Sequence, residues 1–204
     1  MYMFTIFEKC IDLVFPPRKT ELEVRQLTEP ELLSLYRPQN LGACTALMSY
    51  TKSTAQSLIT ENKYHGNHRA ATLLSTLLQK HFAENLHSYI FVPIPLSQER
   101  QKARGYNQVT NILETLTREH NIRIDETLLI RTRDTKPQTS LAKQERQINM
   151  RDSFAVTDKI SAHRDKTIVL VDDVVTTGAT LGAARAALAP HLPPNRLLCI
   201  AFAH

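Results

Sequence analysis

One stretch near the end of the chain constrains its fold more than any other. Residues 168–180 read Ile-Val-Leu-Val-Asp-Asp-Val-Val-Thr-Thr-Gly-Ala-Thr. Four consecutive apolar residues, without the alternation of a half-exposed strand, predict a strand that is buried on both faces of a parallel sheet. Two carboxylates, a short loop and a helical pattern follow. Because parallel sheets bind ligands beyond the carboxyl ends of their strands, we expect a binding site here.

The loop after the two acids has the features of an anion site. Backbone N–H groups at the start of a helix favour an anion. Gly178 permits the backbone to approach a phosphate closely, and the neighbouring threonine hydroxyls add donors. Asp172 and Asp173 beside such a pocket are costly unless they meet hydroxyl groups or a metal ion. A sugar with two free hydroxyls and one phosphate fits this layout.

The rest of the chain predicts an alternation of strands and helices. Apolar runs predict strands over residues 89–92, 128–131, 167–171 and 197–203, and helical periodicity predicts helices over residues 67–82, 107–118 and 180–188. A capping box at Thr28 and Glu31 predicts a short helix. Together these predict an α/β fold with a parallel sheet flanked by helices.

Two regions stand apart from this alternation. Residues 1–40 are mostly polar and broken by prolines, so we expect an N-terminal appendage there and the main domain over residues 41–204. Residues 132–150 are polar, basic and weakly periodic, which predicts a long loop. Long loops inside compact domains are uncommon and often cover a functional site.

Composition excludes several classes of protein. The three cysteines of this 204-residue chain are far apart and form no Cys-x-x-Cys pair, which argues against a disulfide framework or a four-cysteine zinc site and favours a reducing cytoplasm. The longest apolar run, Leu197 to Ala203, is far shorter than the roughly 20 residues of a membrane helix. No signal-peptide pattern is present, so we expect a cytoplasmic protein.

Positive charge is concentrated in the middle third of the chain. The net charge is +5, and most of the excess lies between residues 91 and 151. Such a concentration is typical either of a solvated face or of a site for phosphates or nucleic acid, and charge alone does not decide between them. The basic residues that carry this excess include Arg100, Lys102, Arg104, Arg131, Arg133, Lys136, Lys143, Arg146 and Arg151.

Competing interpretations of the two acids lack their motifs. A nucleotide hydrolase needs a glycine directly before a lysine, and none of the five glycines has one. No Gly-x-Gly is present, so a dinucleotide fingerprint is absent. Ser140-x-x-Lys143 matches a catalytic motif whose companion motifs are missing, and we interpret it as chance. His65 and His68 are more typical of surface residues than of metal ligands.

All thirteen positions of residues 168–180 resemble the 5-phosphoribosyl-1-pyrophosphate (PRPP) motif of type I phosphoribosyltransferases. In that family the paired acids hold the ribose 2′- and 3′-hydroxyls, and the following loop holds the 5′-phosphate. The resemblance implies that Asp172 and Asp173 bind the ribose. It assigns the 5′-phosphate to Thr176, Thr177, Gly178, Ala179 and Thr180.

Further motifs narrow the resemblance to the ComF family of competence-associated, phosphoribosyltransferase-like proteins. They are Val92-Pro-Ile-Pro-Leu96 with Arg100 and Arg104-Gly-Tyr-Asn-Gln108, then Arg131-x-Arg-x-Thr-x-x-Gln138 followed by Leu141, Arg146 and Asn149, and finally Lys63-Tyr-x-Gly66 and Phe15-Pro-Pro17. Two departures matter. Members commonly carry paired cysteines of a zinc ribbon after the Phe-Pro-Pro, but Arg18 follows here and only Cys10 and Cys44 lie nearby, so we predict no zinc. Ser140 stands where a glycine is usual.

The resemblance also implies functions for the basic middle third. Arg100, Lys102 and Arg104 are candidate ligands of the pyrophosphate, since guanidinium groups match phosphate oxygens. Residues 132–150 would form a flexible hood, with Gln138 and Arg146 as its ligand contacts. Tyr64 and Tyr106 are candidates for stacking on a base, although each residue type is more often core or rim.

The implied activity is Mg²⁺-dependent transfer of a 5-phosphoribosyl group from PRPP to a nitrogenous acceptor, with release of pyrophosphate. Mg²⁺ would arrive with PRPP, near Asp172 and Asp173. The acceptor base is not readable from the sequence. The alternative is a PRPP or ribose-phosphate binding module without turnover, an accessory of DNA import. The family name adds single-stranded DNA or the DNA-uptake machinery as partners, and relatives with this fold often form homodimers.

Overall fold

The computed structural model of the protein describes residue 12 and residues 16–132, 153–163 and 165–204. Seven α-helices and eight strands are defined within these residues. The strands are β1 (Gln39–Asn40), β2 (Thr45–Met48), β3 (Tyr89–Pro93), β4 (Arg123–Ile124), β5 (Leu129–Arg131), β6 (Phe154–Val156), β7 (Thr167–Val174) and β8 (Leu197–Ala203). The α-helices are α1 (Lys19–Gln26), α2 (Glu29–Leu35), α3 (Ser53–His65), α4 (His68–Phe82), α5 (Gln98–Arg104), α6 (Gln108–His120) and α7 (Ala179–Leu188).

Six of these strands form one sheet in the order β1-β2-β8-β7-β3-β4. All neighbours are parallel except β1 and β2, which are antiparallel. The expected α/β fold with a mostly parallel sheet is therefore confirmed, and it agrees with the type I phosphoribosyltransferase-like architecture that the resemblance implied. Strands β5 and β6 form a separate antiparallel ribbon.

Both faces of the sheet are covered, as the unbroken apolar runs predicted. Along β7, Val169 and Val171 pack on one face with α3, α4 and α6, whereas Ile168 and Leu170 pack on the other with α7. All four are fully buried. Successive side chains of a strand point to opposite faces, so a strand that is covered on both sides needs apolar residues at every position.

Several predicted elements match closely. The helix expected over residues 67–82 is α4, whose N-cap Asn67 accepts a hydrogen bond from the backbone N–H of Ala70. The strand expected over residues 197–203 is β8. The capping box is present at α2, where the Thr28 N–H donates to the Glu31 carboxylate over 2.9 Å.

The strand that carries the two acids is longer than expected. The prediction ended it at Val171, but β7 continues to Val174 because Asp172 and Val174 remain in register with Ala201 and Ala203 of β8. The acids are thus the last part of the strand rather than the start of the loop.

The helices of residues 19–35 pack on the same core as the sheet. Val24 of α1 and Leu32 of α2 are buried in the cluster that contains Val169 and Phe202. Within the part of the chain that the structure describes, every helix is too short or too polar to traverse a lipid bilayer.

Candidate functional site

The site lies where β3 and β7 end side by side. These neighbouring strands are parallel, so their carboxyl ends meet at one edge of the sheet. After β3 the chain enters α5 and α6, and after β7 it enters the Thr/Gly loop and α7. Both sequence segments that were predicted to bind PRPP therefore start from the same edge, as expected for parallel sheets.

Asp173 is the buried member of the acid pair. Its side chain is 8% exposed and receives the ammonium of Lys63 at 2.7 Å on Oδ2. The Nε2 of Gln108 donates to the same oxygen over 3.0 Å. Its Oδ1 accepts from the backbone N–H of Val174 over 2.8 Å. A nearly buried carboxylate is stable only with such compensation.

The pKa values of the two acids are shifted in opposite directions. Removal from water raises the pKa of Asp172, and the adjacent negative charge of Asp173 raises it further. Burial also raises the pKa of Asp173, but attraction and hydrogen bonding from Lys63 outweigh burial, and the pKa of Asp173 lies below its ordinary value. Asp172 is half-buried and its Oδ1 accepts from the backbone N–H of Asp173 over 2.9 Å. The pair therefore offers one firmly ionised carboxylate and one that gains a proton more readily.

The loop after β7 opens towards solvent and ends in a glycine cap. Thr176 and Thr177 are exposed, and Gly178 is the N-cap of α7 with φ of 73°. That backbone conformation is in the left-handed region, which strains residues with a side chain. Ala179 and Thr180 form the first turn of α7, which begins one residue before the predicted start at Thr180. The five residues thus present hydroxyls and the start of a helix in one place, which suits an anion.

Arg104 is the one cation of the predicted pyrophosphate segment that the structure joins to the acids. Its Nη1 donates to Gln108 Oε1 over 2.7 Å, and Gln108 in turn donates to Asp173. Arg100 and Lys102 lie exposed on the same short helix α5. Among the described residues, no hydrogen bond or ion pair links their side chains to the acids.

The two candidate tyrosines have different environments. Tyr64 is 60% exposed, and the guanidinium carbon of Arg104 lies 5.2 Å from its ring centre. Its ring is thus accessible for stacking at the mouth of the site. Tyr106 uses its hydroxyl to donate to the backbone carbonyls of Asn62 and Lys63, over 3.1 and 3.2 Å. It fixes the end of α3 against the segment between α5 and α6.

Sequence reasoning missed the two side chains that compensate Asp173. Lys63 and Gln108 belong to motifs that carried the family resemblance, Lys63-Tyr-x-Gly66 and Arg104-Gly-Tyr-Asn-Gln108, but no role had been assigned to either. Gln108 is 65 positions from its acid in the chain, so no local spacing signals the contact. The predicted hood contacts Gln138 and Arg146 lie outside the described residues.

The two cysteines within the described residues are uncharged thiols. Cys44 and Cys199 are buried and free, and burial raises the pKa of the Cys44 thiol to about 12 and also raises that of Cys199. Neutral buried thiols are poor metal ligands. Within the described ranges, no three His, Cys, Asp or Glu side chains are grouped to hold a metal ion. The acids themselves offer carboxylate oxygens, which Mg²⁺ prefers.

The chain is similar in sequence to several proteins that are named as competence proteins. The chain is 33% identical over 90 residues to Competence protein F of Haemophilus influenzae, covering 44% of this chain and 39% of that protein. It is 38% identical over 94 residues to Competence protein ComFC of Bacillus subtilis, covering 46% of this chain and 35% of that protein. It is 26% identical over 168 residues to ComFC of Streptococcus pneumoniae, covering 82% of this chain and 70% of that protein.

The extent of these matches differs. For the Haemophilus and Bacillus proteins, the match spans less than half the length of the relative. DNA utilization protein YhgH of Escherichia coli is 34% identical over 90 residues, which is 44% of this chain and 38% of that protein. No protein-family model matches the chain.

Proposed function

Because the chain belongs to the ComF family of competence-associated proteins, we propose that it binds PRPP as its Mg²⁺ complex and transfers the 5-phosphoribosyl group to a nitrogenous acceptor. Pyrophosphate is the second product. The names of the relatives link the family to competence and DNA use, and we propose that the activity serves DNA uptake. The acceptor is a nitrogen base whose identity the site does not define.

The observation that carries the proposal is the layout of the β7 edge. Asp172 and Asp173 supply acceptors for two sugar hydroxyls, and the loop that follows them directly begins a helix at a glycine with positive φ. The start of a helix binds an anion such as a phosphate, and the carboxylates accept hydrogen bonds from sugar hydroxyls. Ribose 5-phosphate presents both kinds of group a few bonds apart.

The cations near the acids suit the other end of PRPP. Arg104 is connected through Gln108 to Asp173, and Lys63 binds Asp173 directly. In the reaction the bond between C1 of the ribose and the pyrophosphate oxygen breaks, and the oxygen keeps the electron pair. The acceptor nitrogen forms the new bond to C1 and then loses its proton. Positive side chains stabilise the charge that develops on the pyrophosphate.

Mg²⁺ fits this site by the chemistry of its donors. Asp172 and Asp173 offer carboxylate oxygens. In proteins Mg²⁺ is usually held by one or two carboxylates together with the phosphate oxygens of a substrate. When bound, the ion neutralises part of the charge of the pyrophosphate. The chain's own residues hold the ribose, the 5′-phosphate and the leaving group in fixed positions, which lowers the entropic part of the barrier.

A screen for pyrophosphate release separates the transferase from the binding module. Purified protein, Mg²⁺ and PRPP are incubated with a panel of purine, pyrimidine and pyridine bases, and pyrophosphate is measured. We expect release that depends on one class of base and is lost in Asp172→Asn/Asp173→Asn. PRPP binding without release for any base would contradict transfer and support the binding module.

A further inference from the structure

We propose that Lys63 exchanges partners during ligand binding: it neutralises Asp173 in the free site and binds the pyrophosphate of PRPP in the complex. This inference rests on the proposed function, since it concerns the same site. It assigns a positioning and binding role to a residue on α3 for which the sequence alone indicated none.

Asp173 Oδ2 has no lone pair left for a ribose hydroxyl in the free site. Its Oδ2 already receives Lys63 at 2.7 Å and Gln108 at 3.0 Å. Its Oδ1 receives the N–H of Val174. A carboxylate oxygen has about two lone-pair sites. A sugar hydroxyl that binds Oδ2 must therefore displace one of its two donors.

Lys63, rather than Gln108, is the donor that leaves Asp173 Oδ2. Gln108 is 3% exposed, its side-chain oxygen accepts from Arg104, and its backbone carbonyl accepts from Asn62 Nδ2 over 2.9 Å. Moving its side chain would break the bond from Arg104 as well as the bond to Asp173. Lys63 is 20% exposed on its side chain and ends in a flexible four-carbon stem. Lys63 is thus the donor that moves at lower cost.

The Lys63 ammonium lies close to a second cation, Arg104, at the Tyr64 ring. Lys63 Nζ lies 6.0 Å, and the Arg104 guanidinium carbon 5.2 Å, from the centre of the same Tyr64 ring. Both cations therefore lie near one exposed ring, and an anion bound beside that ring is attracted to both of them. A pyrophosphate group carries several negative oxygens and is such an anion. Once hydroxyl donors compensate Asp173, Lys63 gains most by binding that anion.

The exchange requires only side-chain motion. The hydroxyl of Tyr106 holds the carbonyls of Asn62 and Lys63, and Gly66 ends α3 in a left-handed turn beside the Tyr106 ring. The backbone of Lys63 is therefore fixed to the segment that also positions Arg104. With its backbone fixed, Lys63 moves its ammonium only within the length of its own side chain.

The test compares two ligands that differ only in the pyrophosphate. Affinities for Mg²⁺-PRPP and for ribose 5-phosphate are measured by titration calorimetry with wild type and with Lys63→Met, Lys63→Arg and Lys52→Met. Lys52 is the matched control, because it is an exposed lysine at the other end of α3.

Lys63→Met is expected to weaken Mg²⁺-PRPP by about 10- to 100-fold, the range of one charge-assisted contact. Ribose 5-phosphate should bind about as well as to wild type, or more tightly because its competitor at Asp173 is gone. Lys63→Arg should retain most of the PRPP affinity, and Lys52→Met should bind both ligands like wild type.

Two results would overturn the exchange. One is unchanged PRPP affinity in Lys63→Met, and the other is an equal loss for both ligands, which indicates a structural role. If Lys63→Met does not fold, Lys63→Gln replaces it, since its amide still donates to Asp173 but carries no charge. A folded wild type that binds neither ligand would instead overturn the proposed function itself.

Discussion

At the scale of single residues, the site depends on groups that are unfavourable on their own. Asp173 is a nearly buried carboxylate, stabilised by Lys63 and Gln108, and Asp172 beside it has a raised pKa because it is removed from water next to a negative charge. Residues with such perturbed pKa values cluster at functional sites. A ligand that brings hydroxyl donors or a cation to this pair relieves part of that cost.

Gly178 adopts a left-handed backbone conformation in the loop that follows β7. A Cβ at this position would meet only Val175 at 3.9 Å, so space is available and the cost of Gly178→Ala comes from its φ of 73°. We expect a loss of about 1 kcal/mol in the free energy of unfolding, measured by urea denaturation. The control is Gly182→Ala, inside α7 with nothing within 4 Å, which should gain about 0.5–1 kcal/mol. Equal effects of the two substitutions would show that the loop does not require the left-handed conformation.

At the scale of elements, α3 connects the site with the N-terminal helices. Its C-terminal turn places Lys63 against Asp173, and two residues earlier Glu61 is fully buried and binds Arg18 and Thr20. Arg18 Nη2 lies 2.8 Å from the Glu61 carboxylate. The segment that precedes α1 is therefore attached by charge to the helix that carries Lys63.

Because Glu61 is ion-paired in the folded protein, the free energy of unfolding depends on pH in the acidic range. Burial raises the pKa of Glu61, but hydrogen bonds from Arg18, Thr20 and Asn67 outweigh it and lower the pKa to about 2. The stabilisation is complete above the ordinary glutamate pKa and is lost as the pH falls from about 4.5 to about 2, because the unfolded chain binds the proton first. Urea unfolding should show wild type on the order of 2 kcal/mol more stable than Glu61→Gln at pH 7.

The difference between wild type and Glu61→Gln should then shrink as the pH falls towards 2. A difference that stays constant over that range would contradict a native pKa below the ordinary value. Glu21→Gln is a suitable control variant, since Glu21 also pairs with Arg18 but at a more exposed position.

The elements that could be predicted are those with a regular apolar face. α4 and α6 repeat apolar residues at helical spacing, and β7 and β8 are unbroken apolar runs, so pattern alone locates them. α3 was missed because its buried face includes Ser57, Glu61 and Asn62, which pair with partners far along the chain. α5 buries no residue at all, so it has no apolar face to recognise.

The candidate site also has one part that the sequence predicts and one part that it does not. The acids and the Gly178 loop are contiguous in sequence, so their pattern is readable as a motif. The contacts of Asp173 with Lys63 and Gln108 depend on how α3, α6 and β7 pack together, which no local pattern specifies. Their discovery required the three-dimensional structure.

At the scale of the whole molecule, the described residues form a sheet with a hydrophobic cluster on each face. The helices of residues 19–35 contribute Val24, Leu27 and Leu32 to the cluster shared with α3, α4 and α6. Helices that share a core with a sheet are expected to unfold together with it.

Leu32→Ala tests whether the N-terminal helices are part of the cooperative unit. Leu32 is 1% exposed, and we expect its truncation to destabilise the protein by about 2–4 kcal/mol in one urea transition. Leu22→Ala, at a leucine that is 39% exposed in α1, should cost much less. A separate early transition, with the main one unchanged, would instead indicate that residues 1–40 fold as an independent appendage.

The most direct measurement is titration calorimetry of Mg²⁺-PRPP into the wild type and into Asp172→Asn/Asp173→Asn. Circular dichroism and a thermal melt establish beforehand that both proteins are folded. We expect saturable binding of one PRPP per chain to the wild type and no detectable binding to the double variant, because the ribose hydroxyls lose both carboxylates. A folded wild type that gives no binding heat, or a double variant that binds as tightly as the wild type, would contradict it.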